Sequence, residues 1–438
     1  MSGIEVGLVS LGAILTLIWA GLHVPIALAL VSFIGVWVLR GSPDQAARIM
    51  SLAARESISS YLFGVVPLFV LMGLVVSRAN IGRDTFEVAG QLLRRVRGGL
   101  GMATVGANAV FAAITGISIA SAAVFTKVAV PEMRRMGYSA PFATGIVAGS
   151  SVLGMLLPPS LLLILYGILA EESVGALFMA GIGPGILLFV VYCIAIWLML
   201  RFWPSYTGTP HEQLAASGPM MGMGEVLGKL LPIVVLVALV LGGIYGGLFT
   251  PTEAGAVGAA GAIVIAALKR RLTWRALWEV TLESGHITAA VCFLIITATM
   301  YSRMLALSGL PAFLTDWAVG QNLGVYGFIA LLVLILIVLG TILDSSSILM
   351  ITMPLALPIA NQMGVDLIWL GLIVVIAVEI GLLTPPMGLS VFVIKQTLGA
   401  SDVTLGDVFR GALPFAFIML LVLIAVVLVP EIATGLVR

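Results

Sequence analysis

The chain has 438 residues, of which 61% are hydrophobic and 9% charged, and its formal net charge is +1 at pH 7. A soluble domain carries about a quarter charged residues, so this composition excludes a water-soluble protein and indicates an integral membrane protein. We therefore expect membrane lipid around the chain and no nucleic-acid partner.

Apolar runs long enough to cross a bilayer, about 20 residues, recur along the whole chain. In the first half the predicted spans are residues 6–22, 24–39, 59–77, 142–170 and 178–201. No basic segment precedes the first run, so we expect no cleaved signal peptide. Cys193 and Cys292 lie in apolar runs, and we interpret them as packing residues without a disulfide or a metal.

The stretch between the third and fourth spans has a different character. Residues 81–99 mix Arg, Asp and Glu with apolar side chains, which predicts an amphipathic helix in the membrane interface. The apolar run 101–130 is broken at 115–118, and each arm of about 14 residues would reach about 21 Å. That is short for a full crossing, so we predict a re-entrant hairpin whose tip lies near mid-membrane. Two ordinary short spans are the alternative.

The second half of the chain repeats this order of elements. Residues 203–229, rich in Gly, Pro, Ser and Met, are predicted to be a cytoplasmic linker between a first repeat, 1–202, and a second, 230–438. The second repeat has predicted spans at 230–248, 251–268 and 284–302, an arm at 303–321, a hairpin at 322–358, a broken helix at 367–395 and a last span at 411–430.

The two halves also share a double proline inside an apolar run. Pro158 and Pro385 are 227 residues apart, and so are Gly154 and Gly381. Proline-interrupted segments at corresponding positions of two halves point to the binding site of a transporter.

Five crossings per half would turn the second half upside down relative to the first. The predicted fold is therefore an all-α polytopic membrane protein with an inverted repeat, two re-entrant hairpins and two broken helices. With this alternation, sixteen of the 21 basic residues fall on one face and five on the other. Basic residues collect on the cytoplasmic side, so both termini are predicted to be periplasmic. Counting each hairpin as two spans leaves the faces of the other loops unchanged, so the bias supports the alternation more than the hairpins.

Each double proline removes backbone N–H groups and frees the carbonyls four residues earlier. The freed carbonyls belong to Gly154 and Met155 in the first half, and to Gly381 and Leu382 in the second. A bare carbonyl in hydrocarbon costs several kcal/mol, so each break needs a partner, and a partly dehydrated sodium ion suits such hard oxygen ligands. The alternative is a simple proline kink relieved by a Ser or Thr side chain.

The predicted hairpin tips supply further oxygens. Ser118 and Ser345 are 227 residues apart, but a serine in a membrane helix often serves only in helix packing. Asp344 is a stronger candidate because ionisable groups inside membranes are costly and usually functional; its other possible role is to cap the following helix. Glu379 is interpreted either as a proton or cation ligand or as the partner of a polar group in the core.

Nothing in the sequence favours catalysis. It contains no catalytic triad, nucleotide-binding loop or thiol–histidine metal spacing, so neither an enzyme nor ATP as the driver is indicated. His23, His286 and Glu253 lie near predicted span ends and are interpreted as interfacial residues.

Several of these motifs together resemble the large membrane subunit of tripartite ATP-independent periplasmic (TRAP) transporters of the C4-dicarboxylate permease type. The similarity covers essentially the whole chain and is carried by residues 113–118 (Ala-Ile-Thr-Gly-Ile-Ser), 131–137, 149–151, 157–160 (Leu-Pro-Pro-Ser) and 384–388 (Thr-Pro-Pro-Met-Gly). The resemblance implies a sodium-coupled elevator-type secondary transporter in a bacterial inner membrane, without a cofactor. Its partners would be a small four-span membrane subunit, a separate polypeptide, and a periplasmic substrate-binding protein. Its cargo would be an organic acid anion such as a C4-dicarboxylate, sialic acid or a related sugar or keto acid.

Carried over by motif, the resemblance also implies three sets of site residues. The first sodium site would comprise Ser118, Ser121, Gly154, Leu157 and Pro158. The second would comprise Asp344, Ser345, Ser346, Gly381, Thr384 and Pro385. The substrate would bind near Thr115, Ser160, Ser347, Met387 and Gly388.

The nearest alternative function is a stand-alone sodium/anion symporter of the same architecture that needs no binding protein. A channel would require a continuous polar pore, for which the predicted spans offer too few polar residues. An intramembrane enzyme is disfavoured because a nucleophile–base pair is lacking.

Overall fold

The computed structural model describes residues 2–208, 220–321, 324–400 and 402–437, and within these ranges all regular secondary structure is helical. The all-α prediction is confirmed. The helices of the first half are α1 (Gly3–Trp19), α2 (Val24–Arg40), α3 (Pro43–Ser59), α4 (Val65–Arg78), α5 (Ile81–Leu92), α6 (Gly99–Thr115), α7 (Ser118–Arg135), α8 (Ala140–Ser151), α9 (Leu153–Leu156), α10 (Leu161–Ala170), α11 (Val174–Phe202) and α12 (Pro204–Thr207).

The second half has ten described helices. Its helices are α13 (Met223–Tyr245), α14 (Pro251–Leu268), α15 (Trp274–Ser308), α16 (Leu310–Gly320), α17 (Gly324–Gly340), α18 (Ser345–Gln362), α19 (Leu367–Leu382), α20 (Leu389–Leu398), α21 (Leu405–Leu428) and α22 (Glu431–Thr434). We call α6 with α7 the first hairpin and α17 with α18 the second hairpin. The first broken helix is α8–α10, interrupted at 157–160, and the second is α19–α20, interrupted at 383–388.

Five described helices, α11, α13, α14, α15 and α21, are long and apolar enough to cross a membrane. The pairs α4–α5 and α8–α10 also meet this criterion when each is taken together, but they bend by 61° and 40° at their breaks. The predicted first two spans correspond to α1 and α2, which are apolar but only 17 residues long.

Several boundaries differ from the prediction. The predicted interfacial arm 81–99 is helical only to Leu92. Helix α15 runs for 35 residues through the predicted span 284–302 and into the predicted arm 303–321, and no proline interrupts it. Helix α13 begins at Met223, inside the predicted linker 203–229; linker residues 209–219 lie outside the described part of the chain.

The most buried helices surround the two breaks. Every residue of α8 from Phe142 to Ser151 is buried, and so is every residue of α19 from Trp369 to Leu382. Apart from Glu379, these sequences are apolar or small on all sides, as expected of helices with no surface facing solvent. Helices α8 and α21 approach so closely that a β-carbon on Gly145 would lie 2.1 Å from the carbonyl oxygen of Gly411.

Two ion pairs join the third spans of the two halves. Arg78, at the end of α4, donates to Glu279 near the start of α15, with 3.0 Å between Nη2 and Oε2. Glu56, shortly before α4, pairs with Arg303 near the end of α15. Because the end of α4 meets the start of α15 and the reverse, the two helices run antiparallel.

Candidate functional site

The first hairpin is sharply folded at its tip. Gly116 adopts φ 64°, a left-handed conformation that ends α6, and α7 begins two residues later at Ser118. The arms lie side by side, because the rings of Phe111 and Phe125 are 5.7 Å apart and Thr104 contacts Met133. The arms have 17 and 18 residues, not about 14, since α7 continues through Pro131.

The first broken helix is interrupted where the double proline predicts. The Ser160 hydroxyl donates to the carbonyl oxygen of Met155 at 2.7 Å and caps α10 by accepting from the Leu163 N–H at 3.2 Å. A serine side chain thus relieves one of the two carbonyls that the prolines free. At the Met155 carbonyl, the structure therefore shows the alternative, a proline kink relieved by a Ser side chain.

The tip of the first hairpin contacts the break. The Gly116 carbonyl accepts from the Leu161 N–H at 3.3 Å, and a β-carbon on Gly116 would lie 3.0 Å from the Pro159 oxygen. Thr115, next to this glycine, is therefore near Ser160, as expected of the proposed substrate set. Gly154 packs against the Ala112 side chain of the same hairpin, where a β-carbon would lie only 2.3 Å away.

The second hairpin and second break repeat this contact. The Thr341 carbonyl accepts from the N–H groups of both Met387 and Gly388 at 3.2 Å. Gly388 has φ 53°, and a β-carbon there would lie 3.2 Å from the carbonyl oxygens of Leu382 and Thr384. The two breaks therefore each place backbone N–H groups against a hairpin-tip carbonyl, and the second also gathers two carbonyl oxygens.

The breaks differ in exposure. Pro158 and Ser160 are buried, whereas Pro385 and Met387 are exposed, Met387 by 49%. Both double prolines have a cis peptide bond. The Thr384 hydroxyl donates to the carbonyl of Ile380 at 2.7 Å, within its own helix.

Asp344 caps α18. Its carboxylate accepts from the Ser347 N–H at 3.1 Å and from the Ser347 hydroxyl at 2.5 Å. Both predicted roles are compatible here, because the side chain is only half-buried and lies at the hairpin tip. Ser346 is half-buried beside it.

Ser121 belongs to a buried hydrogen-bond network whose other members, Asn108 and Ser150, were not predicted as site residues. Its hydroxyl donates to Oδ1 of Asn108, whose Nδ2 donates to the Ser150 hydroxyl at 2.7 Å. All three side chains are fully buried, and the network ties both arms of the first hairpin to α8. A polar amide inside a predicted membrane segment was the signal available, since such residues are usually functional.

Ser118 lies next to the second half of the chain. Glu379, in the middle of α19, is fully buried, and its Oε1 accepts from the Ser345 hydroxyl at 2.9 Å. The Ser118 side chain lies close to the same carboxyl, but Ser118 Oγ and Glu379 Oε2 are both buried without a hydrogen-bond partner. One carboxyl group thus lies between the first residues of α7 and α18.

The predicted sodium ligands are hydroxyl and carbonyl oxygens, together with the carboxylate of Asp344. No group of three His, Cys, Asp or Glu that could hold a metal ion occurs in the described ranges. In the first set, Gly154 and Leu157 lie at the break and pack against Ala112 and Gly185 respectively. The Ser121 hydroxyl is engaged by Asn108.

The fold is that of helical membrane transporters of known structure. The YdaH transporter of Alcanivorax borkumensis superposes with a TM-score of 0.61 over 87% of this chain and 88% of its own, at 14% identity. MtrF of Neisseria gonorrhoeae, described as one of a class of antimetabolite efflux pumps, gives a TM-score of 0.52 over 87% and 83% at 15% identity.

Sequence comparison narrows this class to one family. The model of the tripartite ATP-independent periplasmic transporter family, DctM component, matches residues 11–432, and the chain belongs to this family. The C4-dicarboxylate TRAP transporter large permease protein DctM of Pseudomonas aeruginosa PAO1 is 34% identical over 91% of both chains. The sialic acid TRAP transporter large permease protein SiaM of Vibrio cholerae is 30% identical over 95% of both. The chain is a large permease subunit and a multi-pass inner-membrane protein.

Proposed function

We propose that this permease imports an organic acid anion by sodium-coupled transport, with the anion delivered by a periplasmic binding protein and a small four-span subunit as membrane partner. Relatives named for C4-dicarboxylates, sialic acid and 2,3-diketo-L-gulonate support this class of cargo. The same names favour a tripartite system over a stand-alone symporter.

The two halves are proposed to form an inverted repeat. The ion pairs Arg78–Glu279 and Glu56–Arg303 support this. Each half contributes an arginine at the end of its third span and a glutamate shortly before the start of the same span, and each arginine pairs with the glutamate of the other half. Such reciprocal pairs are what a pseudo-two-fold axis in the membrane plane would generate. The proposal places both termini in the periplasm and the linker in the cytoplasm.

The two hairpins and two broken helices are proposed to move together as an elevator, with the hairpins re-entrant. Their mutual packing supports this: α9 lies on both arms of the first hairpin, α19 on both arms of the second, and α8 on α21 of the opposite half. Helices α2, α4, α14 and α15 pack mainly on one another and would form the scaffold.

The single observation that carries the proposal occurs in both halves: a carbonyl at the hairpin tip accepts hydrogen bonds from backbone N–H groups that follow a double proline in the sequence. It occurs at Gly116 with Leu161 and at Thr341 with Gly388. In both halves an interrupted segment is held against a tip that carries hydroxyl side chains. These are hard oxygen ligands, which suit sodium, and sodium would offset the charge of the anion during its crossing of the low-dielectric interior.

The test is uptake into proteoliposomes that contain the permease, its small subunit and its binding protein. Labelled succinate and sialic acid are the probes, with an inward sodium gradient or with choline. Ser118→Ala and Asp344→Ala are expected to abolish sodium-dependent uptake, whereas Ser51→Ala, at an exposed serine of α3, is the control and should not. Unchanged sodium dependence in both site variants would remove these sites, and uptake by the permease alone would favour the stand-alone symporter.

A further inference from the structure

Glu379 has an unusual environment for a carboxyl group. In the described part of the chain, Asp84 and Glu379 are the two acidic residues with buried side chains. Asp84 is paired with Lys269 and Arg271, whereas no ion pair is found for Glu379 among the described residues. The Tyr192 side chain, from α11, also lies near this carboxyl.

Two helix N-termini converge on this carboxyl. Ser345 is the first residue of α18, and Ser118 is the first residue of α7. The N-terminus of a helix carries a partial positive charge and favours a negative or hydrogen-bond-accepting group. Glu379 therefore occupies a place that is electrostatically suited to a carboxyl group even without a basic side chain.

The hydrogen bonding of the Glu379 carboxyl and of Ser118 is incomplete. Oε1 is held by the Ser345 hydroxyl at 2.9 Å, while Oε2 and the Ser118 hydroxyl are both buried without a regular partner. A buried polar atom without a hydrogen-bond partner is destabilising. The Ser118 hydroxyl can donate and Oε2 can accept, so these two neighbouring atoms are complementary.

The carboxyl also breaks the symmetry of the repeat. With the offset of 227, the position of Glu379 corresponds to Val152 in the first half, which is fully buried and apolar. The molecule thus has one such carboxyl, shared by two tips from different halves. A residue that served only one repeat would not need to contact both.

We propose that Glu379 is a positioning residue that couples the two hairpin tips, by holding the Ser118 and Ser345 hydroxyls through one carboxyl group. The tips then open and close as one unit, and sodium binding at one favours binding at the other. This inference rests on the proposed sodium sites at the tips. It assigns to Glu379 no direct contact with sodium or with the transported anion.

The experiment measures the response of the purified full-length permease to sodium alone. The melting temperature is followed as NaCl replaces choline chloride at constant ionic strength, and the slope of the response is fitted. For the wild type we expect a Hill slope clearly above one. In Glu379→Met, which keeps the bulk but can accept a hydrogen bond from neither serine, the slope should fall to about one.

Conservative variants separate coupling from general damage. Glu379→Gln should retain the wild-type slope, because its amide can accept from Ser345 and donate to Ser118. Glu283→Gln, at an exposed glutamate of α15, is the matched control and should not change the slope. If Glu379→Met does not fold, Glu379→Asp gives the same test, since the shorter side chain cannot reach both serines.

The outcomes are distinguishable. A wild-type slope retained in Glu379→Met or Glu379→Asp, or a slope lost in Glu379→Gln, overturns the coupling role. A wild-type slope of about one also overturns it. A wild type that shows no response to sodium contradicts the proposed sodium sites instead.

Discussion

Gly340 and Gly381 bring the backbones of the second hairpin and the second broken helix into direct contact. A β-carbon on Gly381 would lie 2.5 Å from the Cα of Gly340, and one on Gly340 would lie 2.8 Å from the Cα of Gly381. Gly154 and Ala112 make the corresponding contact in the first half. In both halves the helix packs directly on its hairpin just before the double proline.

This contact predicts that Gly381→Ala destabilises the protein. The clash is with backbone, which cannot move aside as a flexible side chain can, so we expect a loss of about 1–3 kcal/mol, the range of overpacked cores. The measurement is the melting temperature in detergent. Gly242→Ala in α13 is the control, because a β-carbon there has no neighbour within 4 Å. Equal melting temperatures for both variants would contradict the contact.

Asp84 predicts a second effect on stability. Its buried carboxylate accepts from Lys269 at 2.6 Å and from Arg271 at 2.8 Å, and so joins α5 to the loop that follows α14. Asp84→Asn leaves two cations without their partner, and breaking a buried pair costs about 3–5 kcal/mol. We expect the lower end of this range in chemical or thermal unfolding, because Arg271 is partly exposed.

The control for this prediction is an exposed ion pair in the same region. Arg275 is paired with Glu279 one helical turn away, and its side chain is 91% exposed. Arg275→Gln should change stability by less than about 1 kcal/mol. If Asp84→Asn lowered the stability no more than Arg275→Gln, the Asp84 carboxylate would not be fixing α5 to the loop after α14.

Arg134 and Asp402 predict a dependence of stability on pH. The two are joined by a bidentate pair, at 2.6 and 2.8 Å, between the end of α7 and the loop after α20. The hydrogen bond from Arg134 lowers the pKa of Asp402 below its usual value of 3.8. The stabilisation from this pair is therefore fully present at neutral pH and is lost as the pH falls through the lowered pKa.

The measurement is the difference in melting temperature between the wild type and Asp402→Asn. It should be small, since Asp402 is exposed and screened, constant near neutral pH, and should vanish well below about pH 4. It should also shrink at high salt. A difference that persists in acid would mean that Asp402 acts through something other than its charge.

The sequence predicts the positions of the breaks well because they depend on local chemistry. A double proline cannot continue a helix wherever it lies, and Gly116 requires a left-handed conformation that glycine accepts freely. The predicted breaks at 115–118 and near Pro158 and Pro385 are where the helices are interrupted. Whether these segments bind sodium and substrate stays a prediction.

Long-range packing was less accessible. The grouping of Ser118 with Gly154 and Pro158 of its own half stays a prediction. The structure places Ser118 close to Glu379, more than 250 residues away, and no local pattern encodes that proximity. Helix α3 was missed although Ser42 and Pro43 form a recognisable start, because its amphipathic sequence lacks the apolar length of a span. The sequence also does not mark the ends of every helix, since no residue in α15 indicates where a membrane face begins.

The antiparallel third spans give the most direct prediction about orientation. After Cys193 and Cys292 are replaced by alanine, cysteines at the positions of Arg78 and Glu279 should be joined by a short bifunctional maleimide, and so should cysteines at Glu56 and Arg303. The reason is that both ion pairs lie in direct contact. Mismatched pairs, at Arg78 with Arg303 or at Glu56 with Glu279, are the controls and should not be joined, because they lie at opposite ends of the two helices.

The same cysteines report on the two faces of the membrane. A membrane-impermeant maleimide added to spheroplasts should label Glu56→Cys, on the predicted periplasmic face, and should leave Glu279→Cys unlabelled until the membrane is opened. Labelling of both cysteines from one side would place the starts of the two third spans on the same face of the membrane, which contradicts their antiparallel arrangement. Crosslinking of Arg78→Cys with Arg303→Cys would show that the halves run parallel, and the inverted repeat would then have to be abandoned.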